Sequence, residues 1–293
     1  MKYKKEGENV HNEIVVLIDK ALGGDKKALE GVILSVQDMI YNLSLRMLGT
    51  PHDAEDAAQE ILIRIVTKLS TFRRESAFST WAYRIAVNYL LDYKKSMFAK
   101  RPLSFDFYGE DIDRGFLPVD TDTVKGVDAN LLAEELKQSC TNVMLQCLKP
   151  QSRLIYVLGV MFQMDSRVCG ELLGITPEAY RQRLSRIRKQ VGAFLGEYCG
   201  LSGTGKCDCR RRIGYAIKTN RLNPGCLDYT SLPKLDEDTV LCYTQAMEEL
   251  DELSLVFAQL PKYRAPEAVR GFVETLMQSD SMEIICGNTQ EER

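Results

Sequence analysis

The stretch from residue 165 to residue 190 constrains the fold most, because its residues predict two helices joined by a tight turn. Asp165 can cap a short first helix, and Gly174 suits the left-handed conformation that ends many helices. Thr176 is a good N-cap for a second helix, and Pro177 fits the first helical position, where its missing N–H costs nothing. A short helix, a glycine-containing turn and a second helix together predict a helix-turn-helix.

The second helix of this motif has a basic outward face. Tyr180, Leu184 and Ile187 follow the spacing of a buried stripe, so the other side chains point away from the core. The predicted outward residues are Pro177, Glu178, Arg181, Gln182, Ser185, Arg186, Arg188 and Lys189. The first of these can reach base edges, and the later Arg and Lys can hold phosphates. An ordinary basic surface helix is the alternative interpretation, because runs of charge are usually solvated.

Almost every periodic segment of the 293-residue chain has helical spacing, and no convincing strand alternation is present, so the sequence predicts an all-α fold. The predicted divisions are an N-terminal helical domain at 12–100, a flexible acidic linker at 101–128, a helix-turn-helix domain at 129–197, a Cys- and Arg-rich segment at 198–230, and an acidic helical extension at 231–293. A basic block at 141–230 lies between acidic ones, a pattern typical of a DNA-contacting module.

The composition restricts the classes of protein to consider. With 45% hydrophobic and 27% charged residues, the chain has the make-up of an ordinary globular protein. No run approaches the roughly 20 apolar residues that span a bilayer, and the charged N-terminus lacks the apolar core of a signal peptide. We therefore expect a cytoplasmic location and no membrane partner. The motifs of serine hydrolases, P-loop proteins and zinc proteases are absent from the sequence, so no enzymatic activity is expected.

The predicted helix at 53–69 has an unusual outward face. Asp56, Glu60 and Ile63 share the side opposite its buried stripe, and Gln59 lies beside them. An isoleucine exposed between carboxylates is more typical of a docking surface than of a solvated face. Periodicity alone leaves both interpretations open.

The predicted helix at 77–97 holds the single Trp of the chain. Trp81, Arg84 and Asn88 share one face, away from a stripe of smaller apolar residues. An aromatic ring beside a cation and an amide suits a groove for unstacked single-stranded bases. A lone Trp is more often part of a core, so composition alone does not decide its role.

Two segments together resemble a known family. Region 2 of the extracytoplasmic-function (ECF) sigma factors resembles DAEDAAQEILIRI followed by LSTFRRESAFSTWAYRIAVNYLLDYKK. Region 4 of that family resembles PQSRLIYVLGVMF followed by VCGELLGITPEAYRQRLSRIRK. The resemblance covers residues 25–97 and 130–195, and two motifs in the right order are more specific than either alone.

The resemblance implies a role for each matching position. Asp56, Gln59 and Glu60 match the motif that docks on the β′ clamp helices of RNA polymerase, and Ile63 lies on the same face. The implied contacts with the −10 element, which region 2 recognises and melts, are Phe72, Arg73, Trp81, Tyr83, Arg84 and Asn88. The 177–189 face would bind the −35 element as duplex. Core RNA polymerase, promoter DNA and an anti-sigma factor are the implied partners.

A second class of protein competes with this interpretation. A helix-turn-helix transcriptional regulator would bind duplex DNA without polymerase, usually as a dimer on a two-fold site. A sigma factor should bind promoter DNA well only together with core polymerase.

The cysteines permit three interpretations. Cys199, Cys207, Cys209 and Cys226 could supply four thiolates to a tetrahedral Zn²⁺, although their spacing is not the usual C-x₂-C. Arg at 210–212 would lower the pKa of nearby thiols, which suits a metal site or a redox sensor. Unlinked reduced thiols are the third alternative.

The acidic extension at 231–293 also has two interpretations. It can be a helical appendage packed on the body. It can also be an internal regulator that covers DNA- or polymerase-binding surfaces, because its charge opposes that of the basic block.

Overall fold

A computed structural model describes residues 13–93, 96–115, 124, 126–235, 257 and 260–278. These residues are helical, apart from loops and one isolated antiparallel bridge between Lys234 and Tyr263, which confirms the predicted all-α fold. None of the helices described is long and apolar enough to cross a membrane.

The structure describes twelve α-helices, from α1 to α12 in chain order. Their bounds are α1 (13–22), α2 (Lys26–Leu48), α3 (Pro51–Thr67), α4 (Phe78–Asp92), α5 (Met97–Lys100), α6 (Phe105–Arg114), α7 (Ala129–Leu145), α8 (Pro150–Tyr156), α9 (Ser166–Leu173), α10 (Pro177–Tyr198), α11 (Cys209–Lys218) and α12 (Glu267–Gln278). A π-helical turn, Val157–Met161, continues α8, and short 3₁₀ turns follow α3 and α10.

The chain divides into two compact units. Unit 1 comprises the described residues within Met1–Ser44, Ala54–Asp92 and Arg264–Arg293. Unit 2 comprises those within Leu45–Asp53 and Tyr93–Tyr263. The C-terminal helix α12 therefore belongs to the same unit as α3 and α4, although it lies far from them in sequence.

The core of unit 1 is made of apolar stripes on α2, α3 and α4. Its buried residues include Ile33 and Ile40 on α2, Ala58, Ile61, Leu62 and Ile65 on α3, and Ala82, Ala86 and Leu90 on α4. The small alanines bring the helix backbones close, and each buried leucine or isoleucine contributes about 1.5–3 kcal/mol through removal from water. The opposite face of α3 is left for other contacts.

The predicted linker at 101–128 is wrong in part, because it contains the helix α6. Ser104 caps this helix by accepting a hydrogen bond from the backbone N–H of Phe107 at 3.2 Å. The rings of Phe105 and Tyr108 pack on Phe194 of α10, with centroid distances of 4.9 and 6.1 Å. Aromatic burial on one face outweighed the acidic composition that predicted a flexible segment. Residues 116–123 and 125 lie outside the described part of the chain.

Asp111 joins α6 to the Cys- and Arg-rich segment. Its carboxylate accepts hydrogen bonds from Arg212 at 3.0 Å and from the Tyr215 hydroxyl at 2.8 Å. A third donor, Arg221, bonds to both carboxylate oxygens, at 2.8 Å to the one that also accepts from Tyr215. Burial alone would raise the pKa of Asp111, but the hydrogen bonds from Arg221, Tyr215 and Arg212 outweigh it and hold that pKa below its ordinary value.

A second buried carboxylate fixes the chain that follows α11. Glu135 of α7 accepts hydrogen bonds from the backbone N–H groups of Asp228, Tyr229 and Thr230 at 2.7–3.1 Å. Three backbone donors on one carboxylate satisfy its charge inside the protein. Residues up to 235 are thereby packed on unit 2, while 236–256 lie outside the described residues.

Candidate nucleic-acid interface

The helix-turn-helix has the geometry that its residues predict. Asp165 accepts the backbone N–H of Arg167 at 2.8 Å and caps α9. Gly174 ends α9 in the left-handed region, at φ 64° and ψ 33°. Thr176 accepts the N–H of Ala179 at 3.2 Å and caps α10, whose first residue is Pro177. The predicted caps and turn are confirmed.

One face of α10 packs against the other helices of unit 2. Tyr180, Leu184, Ile187 and Val191 are all buried, as their spacing predicts. The Tyr180 hydroxyl donates a hydrogen bond to the carbonyl of Ile155 at 3.1 Å. A side chain at Gly159 would bring its Cβ within 2.6 Å of Leu184, so the absence of a side chain there permits the close approach of α10.

The other face of α10 is available to a partner. The exposed residues of the predicted DNA-binding set are Glu178, Arg181, Gln182, Ser185, Arg186 and Lys189, and the half-buried ones are Pro177 and Arg188. Arg183 is exposed as well, and the outward set did not include it. Arg181 donates to Ser166 and to Glu178, both at 2.9 Å, which orients its guanidinium at the start of the helix.

An aromatic cluster forms where the loop after α3 meets α4. Phe78 stacks on Trp81 with ring centroids 5.6 Å apart, and Phe72 lies 5.6 Å from the same indole. Phe72 is buried, with 8% of its surface exposed. The structure therefore gives no support to the DNA contact predicted for Phe72, because its buried ring packs against Trp81.

The remaining residues predicted to bind the −10 element differ in exposure. Arg73 and Asn88 are exposed, and Trp81, Tyr83 and Arg84 are half-buried. Trp81 thus packs on Phe72 and Phe78 and keeps part of its surface exposed, which combines the packing and binding interpretations of the sequence. A partly exposed indole held in place by its neighbours can stack on an unpaired base.

The outward face of α3 carries a small polar network. Asp56 is exposed, while Gln59, Glu60 and Ile63 are half-buried. Glu60 pairs with Arg64 at 3.1 Å, and the Arg64 guanidinium lies over the ring of Tyr89, 4.7 Å from its centroid. Partial burial and the neighbouring Glu60 raise the pKa of Tyr89. Asp56, Gln59, Glu60 and Ile63 form one surface, which we call the α3 docking face.

The α3 docking face is in contact with the C-terminal helix. The side-chain amide of Gln59 donates a hydrogen bond of 2.8 Å to the backbone carbonyl of Ala268 in α12. Local patterns along the sequence contain no signal for this pairing, because the two residues are separated by most of the chain.

Within the described residues, the four predicted zinc ligands are not brought together as a metal-binding group. Cys199 is buried, Cys207 and Cys209 are half-buried, and Cys226 is exposed. Among the residues that the structure describes, no group of three or more His, Cys, Asp or Glu could hold a metal ion. Binding of a tetrahedral Zn²⁺ by these four cysteines stays a prediction, and their arrangement gives it no support.

The thiol pKa values also differ from expectation. Burial raises the pKa of Cys199 to about 11 and those of Cys207 and Cys209 to about 12. The predicted lowering is wrong, because Arg212 is bonded to Asp111 and desolvation outweighs its charge. Cys140 of α7 adds to the rise in each case, although it lies far from the other three in sequence.

Comparison with known proteins adds the following similarities. Residues 32–97 match the model of Sigma-70 region 2. The chain is 31% identical over 172 residues to the ECF RNA polymerase sigma factor SigW of Bacillus subtilis, covering 57% of this chain and 91% of that protein. It is 26% identical over 176 residues to the ECF RNA polymerase sigma-E factor of Escherichia coli K12, covering 60% and 91%. The RNA polymerase sigma-H factor of Pseudomonas aeruginosa is 35% identical over 97 residues, or 33% of this chain and 50% of that protein.

Proposed function

The chain belongs to the extracytoplasmic-function family of RNA polymerase sigma factors and directs RNA polymerase to promoters, and we propose that α3, α4 and α10 divide this work among them. The α3 docking face binds the polymerase, α4 with its aromatic cluster holds the melted strand, and α10 binds duplex DNA upstream. Sigma factors of this kind act as initiation factors without catalytic chemistry of their own.

Docking is assigned to α3 because of the composition of its outward face. Asp56 and Glu60 add carboxylates to the face that carries the Gln59 amide, and Ile63 adds apolar surface. An apolar side chain ringed by charges is suited to a protein partner with a complementary basic surface. We assign the β′ clamp helices of core polymerase to this face.

Strand separation is assigned to α4 and the loop before it. Phe72 and Phe78 pack against the indole of Trp81, and Asn88 is exposed further along the helix. A positioned and partly exposed aromatic ring can stack on an unpaired base, and an amide can distinguish bases by hydrogen bonding. Arg73 is exposed close by and suits a phosphate contact.

Duplex binding at the −35 element is assigned to α10. Its N-terminal Arg181 and Gln182 are exposed where the recognition helix of a helix-turn-helix meets base edges. Arg186 and Lys189 follow one to two turns later and suit phosphates.

One observation carries this proposal. The α3 docking face lies within the residues that match Sigma-70 region 2, and its Asp56 is exposed. A regulator that binds duplex DNA alone has no need of such a face, whereas an initiation factor depends on it.

The test is co-purification with core polymerase followed by run-off transcription. Asp56→Arg and Glu60→Arg together should abolish polymerase binding, because reversed charges oppose a basic partner. Glu13→Arg, a reversal at an exposed residue of α1, is the matched control and should leave binding unchanged. If the double variant binds core and initiates like wild type, the assignment of α3 is wrong. Promoter binding without polymerase would favour the duplex-binding regulator instead.

Two further points follow from this proposal. An anti-sigma factor that covers α3 or α10 is a proposed partner, supported by family membership alone. The cytoplasm is the proposed location, because the polymerase and the promoters are found there.

A further inference from the structure

The part of the acidic extension that contains α12, from Arg264 on, lies in unit 1 with α3, whereas the described residues before it belong to unit 2. The opposite charges in the sequence predicted docking on the basic block of residues 141–230, but α12 is grouped instead with the N-terminal helices. Most of the α10 side chains that were predicted to bind DNA are exposed to solvent. Residues 236–256 of the extension lie outside the described residues, so the inference concerns α12 and the residues just before it.

Hydrogen bonds near its start attach α12 to the other helices of unit 1. The backbone N–H of Ala265, just before the helix, donates to the Asp38 carboxylate of α2 at 2.6 Å. The Gln59 amide of the α3 docking face donates to the carbonyl of Ala268 at 2.8 Å. One bond thus comes from outside the α3 docking face and one from within it, and together they fix the start of α12 beside α3.

The apolar side of α12 is buried by this arrangement. Val269 and Val273, one turn apart, are 0% and 2% exposed, and Ala265 is also fully buried. Glu274 and Thr275 face solvent. A helix of 12 residues is marginally stable alone in water, so the burial of its valines supplies much of the reason that it forms.

A buried side-chain atom of Arg270 weakens the attachment of α12. The Nε of Arg270 is buried without a hydrogen-bond acceptor, while its Nη2 pairs with Glu267 at 3.2 Å. A buried donor without an acceptor weakens the docked state relative to a state in which water reaches it. The helix is therefore held by the burial of its apolar side and by the hydrogen bonds from Ala265 and Gln59. The unfavourable free energy of the buried Arg270 Nε would be removed if the helix were released.

We propose that α12 is an intramolecular cap on the α3 docking face, which competes with core polymerase for Gln59 and the surface around it. This rests on the proposed role of α3 as the polymerase-binding surface. The occupant is a segment of the chain itself, and polymerase must displace it. The apparent affinity for core polymerase is then reduced in proportion to the fraction of molecules in which the face is open.

The test measures the Kd of the full-length protein for core RNA polymerase. Val269→Asp with Val273→Asp places two charges in the apolar contact and releases α12, which should lower the Kd about tenfold. Asp38→Ala removes the acceptor of Ala265 with little risk to folding, and it should lower the Kd by a smaller factor. Hydrogen exchange of residues 267–278 verifies that the helix is released in each variant.

Two controls separate the cap from the docking role. Glu274→Gln changes the solvent side of α12 and should leave the Kd at its wild-type value. Asp56→Arg, added to the released double variant, should abolish the gain in affinity. A released α12 with an unchanged Kd, in a protein whose binding still depends on Asp56, would overturn the cap and leave the docking role intact. Binding insensitive to Asp56→Arg in both backgrounds would overturn the docking role and the cap with it.

Discussion

The carboxylate of Asp111 and the guanidinium of Arg212 form an ion pair at 3.0 Å, with both side chains almost completely buried. Asp111 belongs to a segment whose composition predicted a flexible linker, and Arg212 to a cluster that was expected to activate thiols. In the folded protein each neutralises the other. The pair makes α6 a structural part of unit 2, and burial outweighs the Arg212 charge in setting the pKa of the neighbouring Cys207.

Removal of the Asp111 carboxylate should destabilise unit 2 strongly. Asp111→Ala leaves Arg212 buried without its counter-ion, and breaking a buried pair in this way costs about 3–5 kcal/mol in the free energy of unfolding. Urea titration followed by far-UV circular dichroism measures the loss. Glu110→Ala, which breaks only the exposed pair with Arg114, is the control and should cost less than about 1 kcal/mol. Equal losses in the two variants would contradict the structural role of Asp111.

The same carboxylate should make stability depend on pH. Its pKa in the folded protein is lower than the ordinary 3.8, so the folded state holds its proton less tightly than the unfolded state does. The resulting stability is present above the unfolded pKa and is lost as the pH falls through the folded pKa. Urea midpoints between about pH 7 and about pH 3 should therefore fall more steeply for wild type than for Asp111→Asn. Parallel curves would show that Asp111 is not responsible.

Lys189 should contribute to DNA binding through charge alone. It is exposed on α10, and Lys189→Ala should reduce the affinity of the holoenzyme for all promoters alike. Loss of one phosphate contact should also reduce the slope of log K against log salt by about 1. Filter binding across a salt series measures both effects. Lys218→Ala, at an exposed lysine of α11, should change neither, and an effect as large as that of Lys189→Ala would indicate a nonspecific charge effect.

Asn88 should matter for strand separation but not for folding. Its side chain is exposed, so Asn88→Ala should change the free energy of unfolding by no more than about 0.5 kcal/mol. Loss of one hydrogen bond to an unpaired base should reduce open-complex formation by about 2- to 10-fold. Permanganate reactivity of unpaired thymines at the −10 element reports this step. Ser79→Ala, at another exposed position of α4, should behave like wild type; if both variants lose activity equally, Asn88 has no special role.

The thiols of the Cys- and Arg-rich segment should react slowly. With its pKa raised to about 12, Cys209 forms little thiolate near neutral pH, whereas Cys226 is exposed. Iodoacetamide labelling followed by peptide mass spectrometry should therefore find Cys226 modified well before Cys209. The zinc content of the same reduced sample separates protection by burial from protection by a metal. Faster labelling of Cys209 would mean that its thiol is not buried in solution.

The parts of the molecule that were predictable from sequence are those governed by neighbours along the chain. Asp165, Gly174 and Thr176 act on backbone groups within a few residues, so their presence in order was sufficient to predict the helix-turn-helix. The buried stripe from Tyr180 to Val191 follows equally from helical periodicity. The roles on α3 and α4 needed the family resemblance, because periodicity could not separate a docking face from a solvated one.

Other properties depended on residues that meet only after folding. Composition predicted that the segment containing Asp111 would be flexible and that Arg212 would lower thiol pKa values, yet burial joined the two and raised those pKa values instead. The charge of the extension predicted docking on basic residues, yet α12 buries Val269 and accepts a hydrogen bond from Gln59 of α3. The sequence by itself determined the helix-turn-helix, its caps and the buried stripe of α10, because these depend on local backbone chemistry and helical periodicity. Only the tertiary structure decided which faces are covered and which charges are neutralised, because desolvation and long-range pairing depend on the whole fold.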